Sequence, residues 1–253
     1  MKTTAQSFIN FYQTIFSINS STPKVQHSKT ALILAPHPDD ECLMGPFALR
    51  LKIENNSKVI ACAFSLGSNT ARQKERAQEF LDACSTLDFH PEILDEDEKK
   101  KEKLIQLIQS EQIDLIIAPH LKDHHPTHIK AGELARDVIK SIKFNGLYLE
   151  SEFWGELENP NLLIEVTKET FIKQFEALTK HTGEIQRNPY HLRLAANLVN
   201  NVRRGAEKVS SLGSSAPQFA FGSLYQGYQV KDGELYSLPA QILDYAKDLS
   251  SIF

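Results

Sequence analysis

With 253 residues, 41% of them hydrophobic and 24% charged, the chain can form one large α/β core or two small ones, and its composition is that of an ordinary soluble globular protein. A formal net charge of -4 gives no electrostatic reason to expect a nucleic-acid partner, and no apolar run approaches the roughly 18 residues of a membrane span. The three cysteines, Cys42, Cys62 and Cys84, are too few and too scattered for a disulfide framework or a CxxC zinc site; they read as buried free thiols in a cytoplasmic protein.

Phe8, Phe11, Tyr12, Ile15 and Phe16 recur at helical spacing, so residues 1–29 read as an N-terminal helix docked on the domain, followed by a polar linker with Pro23. The apolar run Ala31–Ala35 has the character of a strand buried on both faces. It empties into Pro36-His37-Pro38-Asp39-Asp40-Glu41, and a helix is expected over Leu43–Ile53. A second buried strand is expected over Lys58–Ser65, then a long helix to Leu87 capped by Asn69 or Thr70. Ile93-Leu94 suggests a short strand, and the charge run Asp95–Lys103 the solvated start of a helix ending near Ser110. Ile113–Ala118 is a further buried strand and leads into the histidine-rich turn Pro119–His128. Beyond it the pattern predicts a helix over Ile129–Lys140, strands around Gly146–Glu152 and Asn161–Val166, and helices over Thr167–His181 and Tyr190–Lys208. A Ser/Gly loop follows at Ser210–Pro217, then a glycine- and aromatic-containing stretch to Tyr228 and a closing helix over Ala240–Ile252. Alternating strands and helices argue for a three-layer α/β fold around a mostly parallel sheet.

The informative coincidence is that two successive buried strands end in ligand-rich turns. Both turns then lie at the carboxyl edge of one parallel sheet, where open α/β folds bind ligands. A glycine-rich turn there would cradle phosphate, whereas three carboxylates repel phosphate and attract a cation. His37, Asp39, Asp40, His125 and His128 are therefore candidates for one metal site, and imidazole with carboxylate donors suits zinc. The plain reading of either turn alone is a helix cap and a polar loop. His120 and His124 read as surface residues beside the ligand turn, with lining of its mouth as the alternative, Glu41 as a carboxylate favouring the helix dipole, and Phe153 and Trp154 as packing residues, with a sugar-stacking platform as the alternative.

On these residues the chain resembles the PIG-L/LmbE-like family of N-acetylglucosaminyl deacetylases. Ala35-Pro36-His37-Pro38-Asp39-Asp40-Glu41 and His125-Pro126-Thr127-His128 are similar to its two signature motifs. Arg76-Ala77-Gln78-Glu79 with Ala83 and Leu87 resembles a helix of the family, as do Ala177-Leu178 with His181 and, more weakly, Arg204-Gly205. The resemblance implies a Rossmann-like fold and one deacetylase domain: residues 1–29 as helix and linker, 30–230 as core, and 231–253 as a C-terminal extension. It implies one Zn2+ per chain, with Fe2+ as the alternative metal, held by His37, Asp40 and His128. Asp39 corresponds to the catalytic carboxylate that activates the attacking water, and His125 to the acid or oxyanion stabiliser. Arg76 and His181 correspond to substrate-binding residues, Arg76 with a helix pair to Glu79 as its structural role. The implied substrate is a small-molecule or glycan N-acetyl sugar, and a homo-oligomer is compatible with the resemblance.

Two departures stand out. Thr127 replaces the acidic residue common at that place, which leaves His125 without its usual carboxylate unless Asp123 supplies one. Asp88 stands where a glycine usually ends the helix, a place that favours left-handed backbone. Beside deacetylation stand a hydrolase of another amide or carbamoyl group, an iron(II) facial triad, which belongs on a different fold class, and a nucleotide-binding module, which the missing glycine fingerprint opposes.

Overall fold

The computed structural model describes residues 28–94, 97–247 and 249–253. The expected N-terminal helix lies outside the described residues. From Thr30 onward strands and helices alternate: β1 (Thr30–Ala35), α1 (Asp40–Met44), α2 (Pro46–Asn55), β2 (Lys58–Ala63), α3 (Thr70–Leu87), β3 (His90–Ile93), α4 (Lys100–Ser110), β4 (Leu115–Pro119), α5 (Pro126–Ser141) and β5 (Gly146–Ser151). The second half adds β6 (Leu162–Glu165), α6 (Lys168–Leu178), α7 (Thr182–Arg187), α8 (Tyr190–Gly205), β7 (Gly222–Lys231), β8 (Glu234–Ser237) and β9 (Gln241–Leu243).

One sheet runs in the order β3-β2-β1-β4-β5-β7-β6-β9, with β8 paired to β7. Strands β3, β2, β1, β4 and β5 are parallel, β7 is antiparallel to both β5 and β6, and β9 lies parallel to β6. The three-layer α/β fold with a mostly parallel sheet is therefore the observed one. Ala31–Ala35 are wholly buried, as an apolar run without alternation requires. Ala31, Ile33, Val59, Ala61 and Ile117 face a layer built by α2, α3 and α6; Leu32, Leu34, Ile60 and Ile116 face α4 and α5. The side chains of each strand alternate between these two layers with period two.

The chain passes from β1 to β2 on one side and returns through β4 on the other. The strand order reverses at β1, so the crevice beyond the ends of β1 and β4 is a topological switch point. Ile33 pairs with Ile117 in that register, which sets the turns after Ala35 and Pro119 beside each other.

Three expectations need correction. The helix expected over Leu43–Ile53 is split at Gly45, where a Cβ would lie 2.4 Å from the Glu41 carbonyl oxygen. The stretch before Tyr228 is the long strand β7, inserted antiparallel between β5 and β6, and the chain beyond 230 supplies β8 and β9 to the same sheet instead of extending beyond it. The expected closing helix is β9 followed by a single 3-10 turn, Leu249–Ile252. Arg50 explains how this end is held: wholly buried, it pairs with Glu54 at 2.6 Å and donates to the carbonyls of Glu165, Leu243 and Asp244. Asp88 does take the left-handed conformation (φ 59°), with its carboxylate 2.8 Å from Lys52.

Candidate metal centre

The turn after β1 is folded by its own carboxylates. Asp40 Oδ2 accepts the His37 amide at 2.9 Å, and Glu41 Oε2 accepts the Asp39 amide at 2.8 Å. These bonds hold Asp39 at φ 113° and ψ -31°, a backbone conformation costing about 1–3 kcal/mol for a residue with a side chain. Glu41 is wholly buried and its other oxygen lies 2.6 Å from His181 Nε2. Asp39 stays on the cavity wall, although only 4% of it is exposed. Its carboxyl is pushed well above the usual range by burial, then by the charges of Asp40 and Glu41, with Arg76 acting in the opposite sense.

The turn after β4 is built differently. Pro126 opens α5, and His125 caps it: Nδ1 accepts the Thr127 amide at 3.2 Å. That bond uses the Nδ1 lone pair, so the neutral ring carries its proton on Nε2. Burial and the neighbouring rings of His128 and His37 lower the affinity of His125 for a second proton. Asp123 Oδ1 accepts the His125 amide at 2.8 Å, and Oδ2 lies 3.4 Å from His128 Nδ1. Asp123 therefore serves the His125 backbone and the His128 ring, leaving the His125 ring without a carboxylate. A carboxylate behind a ligating imidazole fixes its tautomer and aim. Asp123, which the sequence offers as a carboxylate for the His125 ring, is turned to His128 instead. Gly155 seals this loop from above: a Cβ there would sit 2.8 Å from Asp123 Cα, and its carbonyl meets His120 Nε2 at 2.8 Å. His120 is thus buried and not a surface residue, while His124 is exposed.

The two turns meet. Asp40 Oδ2 lies 3.4 Å from His37 Nδ1 and 3.5 Å from His128 Nε2. Tetrahedral ligands at roughly 2.0–2.1 Å from an ion stand about 3.3–3.4 Å apart, close to these two separations. Ligand atoms of His37, His125 and His128 also lie within 4.8 Å of one another, with His125 the exposed member at the rim. For the buried His128, burial opposes the charged form, but Asp40 and Asp123 outweigh it and raise the pKa; in Asp40, burial is likewise outweighed by His128 and His37, and the pKa is lowered.

Beyond this cluster opens a cavity of about 660 Å³, walled by the Ser65–Asn69 loop, one face of α3, Arg187–Tyr190 and Trp154. Trp154, 37% exposed, stands edge-on to Tyr190 with ring centroids 5.8 Å apart; it lines the cavity and is not a core residue. Arg76 also lines it, but Nη1 and Nη2 donate to the carbonyls of Leu66 (3.1 Å) and Pro38 (3.2 Å), fastening both loops. Glu79 accepts instead from Thr182 and Gly183, each at 2.8 Å. His181 is wholly buried behind the turn, on Glu41, and does not line the cavity; its expected contact with substrate is not met. Arg204 pairs with Glu152 at the base of the Trp154 loop.

A family model described as "PIG-L: GlcNAc-PI de-N-acetylase" matches residues 32–139. The chain carries a PIG-L family segment. That segment runs from β1 to α5 and includes both ligand-bearing turns and Arg76, whereas His181 and Arg204 lie beyond it. No curated protein matches the chain. Among solved structures it is similar to the 4-carboxy-2-hydroxymuconate hydratase GalB from Pseudomonas putida KT2440 (TM-score 0.65, 15% identity, covering 79% of this chain and 95% of that one). It is also similar to the N,N'-diacetylchitobiose deacetylase from Pyrococcus horikoshii (0.62, 14%, 92% and 94%) and to the A40926 pseudoaglycone deacetylase Dbv21 (0.60, 15%, 85% and 99%). At these identities the likeness shows the fold around the PIG-L segment, and one fold serves both a hydratase and deacetylases.

Proposed function

We propose that the chain is a divalent-metal-dependent N-deacetylase acting on an N-acetylated amino sugar of the N-acetylglucosamine type. The observation that carries this reading is the spacing of Asp40 between His37 and His128, which suits one ion and leaves a coordination position for reactants. His37, Asp40 and His128 would hold zinc, with iron(II) as the alternative, and Asp123 would orient His128. A bound zinc ion lowers the pKa of water towards 7 and polarises an acyl oxygen.

The chain's own groups supply the remaining steps. Asp39 takes one proton from the water whose oxygen bonds to the acyl carbon. Burial pushes the Asp39 carboxyl well above its usual range, which makes its ionised form a stronger base; a cation held beside it would favour that ionised form. His125 presents Nε2–H towards the developing oxyanion, a role that a neutral imidazole performs without gaining a proton. As the C–N bond breaks, the leaving nitrogen takes the proton held by Asp39, and acetate and a free amine depart. Membrane crossing plays no part in this reading: among the described residues no helix is long and apolar enough to span a bilayer.

The test is metal analysis together with amine release from a panel of N-acetyl sugars. One equivalent of ion per chain and stoichiometric acetate and amine are expected, with both lost in Asp40→Ala. Normal metal content in Asp40→Ala would overturn the ligand set. Hydration of a C=C bond without amine release would favour the chemistry of the hydratase relative.

A further inference from the structure

We propose that Tyr190 is a further catalytic residue. Its hydroxyl donates a hydrogen bond to the substrate's acyl oxygen as that atom becomes an oxyanion, beside the Nε2–H of His125. This rests on the deacetylase reading above, and it adds a group carried on α8, outside the segment that the PIG-L model matches.

The ring is fixed and the hydroxyl is free. Tyr190 is 5% exposed, and its ring packs against Phe153 and Trp154 with centroids 6.1 Å and 5.8 Å away. Its amide donates to the Asn188 carbonyl at 2.7 Å, which holds the residue at the first turn of α8. The same residue lines the cavity with His37, Asp39, Asp40 and His125, and its hydroxyl makes no hydrogen bond among the described residues. A buried tyrosine hydroxyl usually finds a partner, and here the cavity is where a partner can come from. The arginines of the same wall are committed to one another's counterion. Arg72 Nη1 lies 3.1 Å and Arg76 Nε 3.5 Å from Glu184, and Arg187 pairs with the other oxygen of that buried carboxylate.

Electrostatics fix the form in which the hydroxyl works. Burial first, and then the charges of Asp39, Asp40 and Glu184, hold the phenol above its usual range, with Arg187 acting in the opposite sense. At neutral pH Tyr190 is therefore an O–H donor and not a base, and the action of Asp39 and Asp40 on it sets it at the reacting end of the cavity. A neutral donor gains most where negative charge develops. In amide hydrolysis the attacking oxygen loses a proton and the leaving nitrogen gains one, and Asp39 serves both. The acyl oxygen alone gains negative charge, and its lone pairs accept more than one donor. His125 supplies one from the exposed rim, and Tyr190 supplies a second from the buried wall. The phenolic proton stays on Tyr190 throughout, so the balance of the reaction is unchanged.

The experiment uses Tyr190→Phe in the metal-loaded full chain, which keeps the ring against Phe153 and Trp154 and removes only the hydroxyl. With N-acetylglucosamine as substrate, kcat should fall about 10²-fold while KM changes by less than about 3-fold, since the bond is made only in the transition state. Metal content and thermal midpoint should match those of the parent chain. Calorimetric titration supplies a readout that a packing role would not move. Affinity for the methylphosphonamide of glucosamine, whose tetrahedral phosphorus oxygens imitate the oxyanion, should fall by a similar factor, and affinity for glucosamine itself should stay the same. Unchanged kcat and analogue affinity, or a rise in KM with kcat intact, would overturn the proposal. The same measurements keep the two readings apart. Amine release that Tyr190→Phe leaves untouched would overturn the role of Tyr190 and spare the deacetylase. Tyr190-dependent binding of the analogue without amine release from any N-acetyl sugar would support the oxyanion donor and overturn the N-acetyl sugar as substrate.

Discussion

The turn after β1 and the turn after β4 lie side by side at the mouth of one cavity, yet they are built from different materials. The first is acidic and buried: Asp39, Asp40 and Glu41 are each 4% exposed or less, and their charges are managed by amides, His181 and Arg76. The second is imidazole-rich and partly open, with His125 at the rim and His120, Asp123 and His128 buried. The acidic turn can hold a cation and a strong base because burial concentrates its charge. The imidazole turn can present a neutral donor, since burial and the neighbouring rings lower the affinity of His125 for a second proton. A hydrolytic site needs both, and neither turn can supply the other's part.

Replacing the base should break this division of labour most severely. Asp39→Asn is expected to retain the metal and lower kcat by about 10³-fold or more, since it removes a proton acceptor without touching a ligand. Metal content and single-turnover kinetics on one preparation check this, and loss of the ion would make Asp39 a ligand. Next comes the support of the acidic turn. Glu41→Ala strands His181 and the Asp39 amide in the interior and should cost about 3–5 kcal/mol in denaturant unfolding. The same pair has a pH signature in metal-free protein. Burial opposes a charge on His181, but Glu41 outweighs it and raises the folded pKa above 6.5. The native state then holds the proton more tightly than the unfolded chain, so this contribution is complete below about pH 6.5 and is lost as pH rises through the raised value. The slope should vanish in His181→Gln; an unchanged slope would exclude this pair as its source.

The imidazole turn should respond more mildly. His125→Ala is expected to cost about 10²-fold in kcat, as for loss of an oxyanion donor. Thr127→Asp should place a carboxylate beside the His125 ring and raise its affinity for a second proton, so the acid limb of the pH–rate profile should move upward, because the neutral ring is the active form. A limb that stays in place would show that the profile does not report His125. The smallest effect concerns the end of α3. Asp88→Gly frees the left-handed cap from its side chain but gives up the Lys52 pair, so the thermal midpoint should move by only about 1–3 °C.

Much of the acidic turn was legible because its motif is contiguous and its strand is an unbroken apolar run. The imidazole turn was legible for the same reason, as were α3 with its cap at Asn69, α4, α5 and α6, although the capping by His125 and Thr167 was not read. Periodicity and capping act over a few residues, so they are written locally. The partners of those residues were not. Glu41 meets His181 across 140 positions, Arg72 meets Glu184 across 112, and Asp123 turns to His128 in preference to its nearer neighbour. Strand β7 gave no clear alternation, because between β5 and β6 both of its faces are covered and glycines replace side chains where Leu162 and Leu163 press in. The sequence by itself determined the parallel half of the sheet, the two ligand-bearing turns and the donor types they offer. Tertiary structure alone decided which histidine faces the cavity and which is sealed behind it, where the C-terminal strands pair, and how three arginines come to share one carboxylate. Those outcomes depend on burial and on contacts between distant residues, which leave no trace in local spacing.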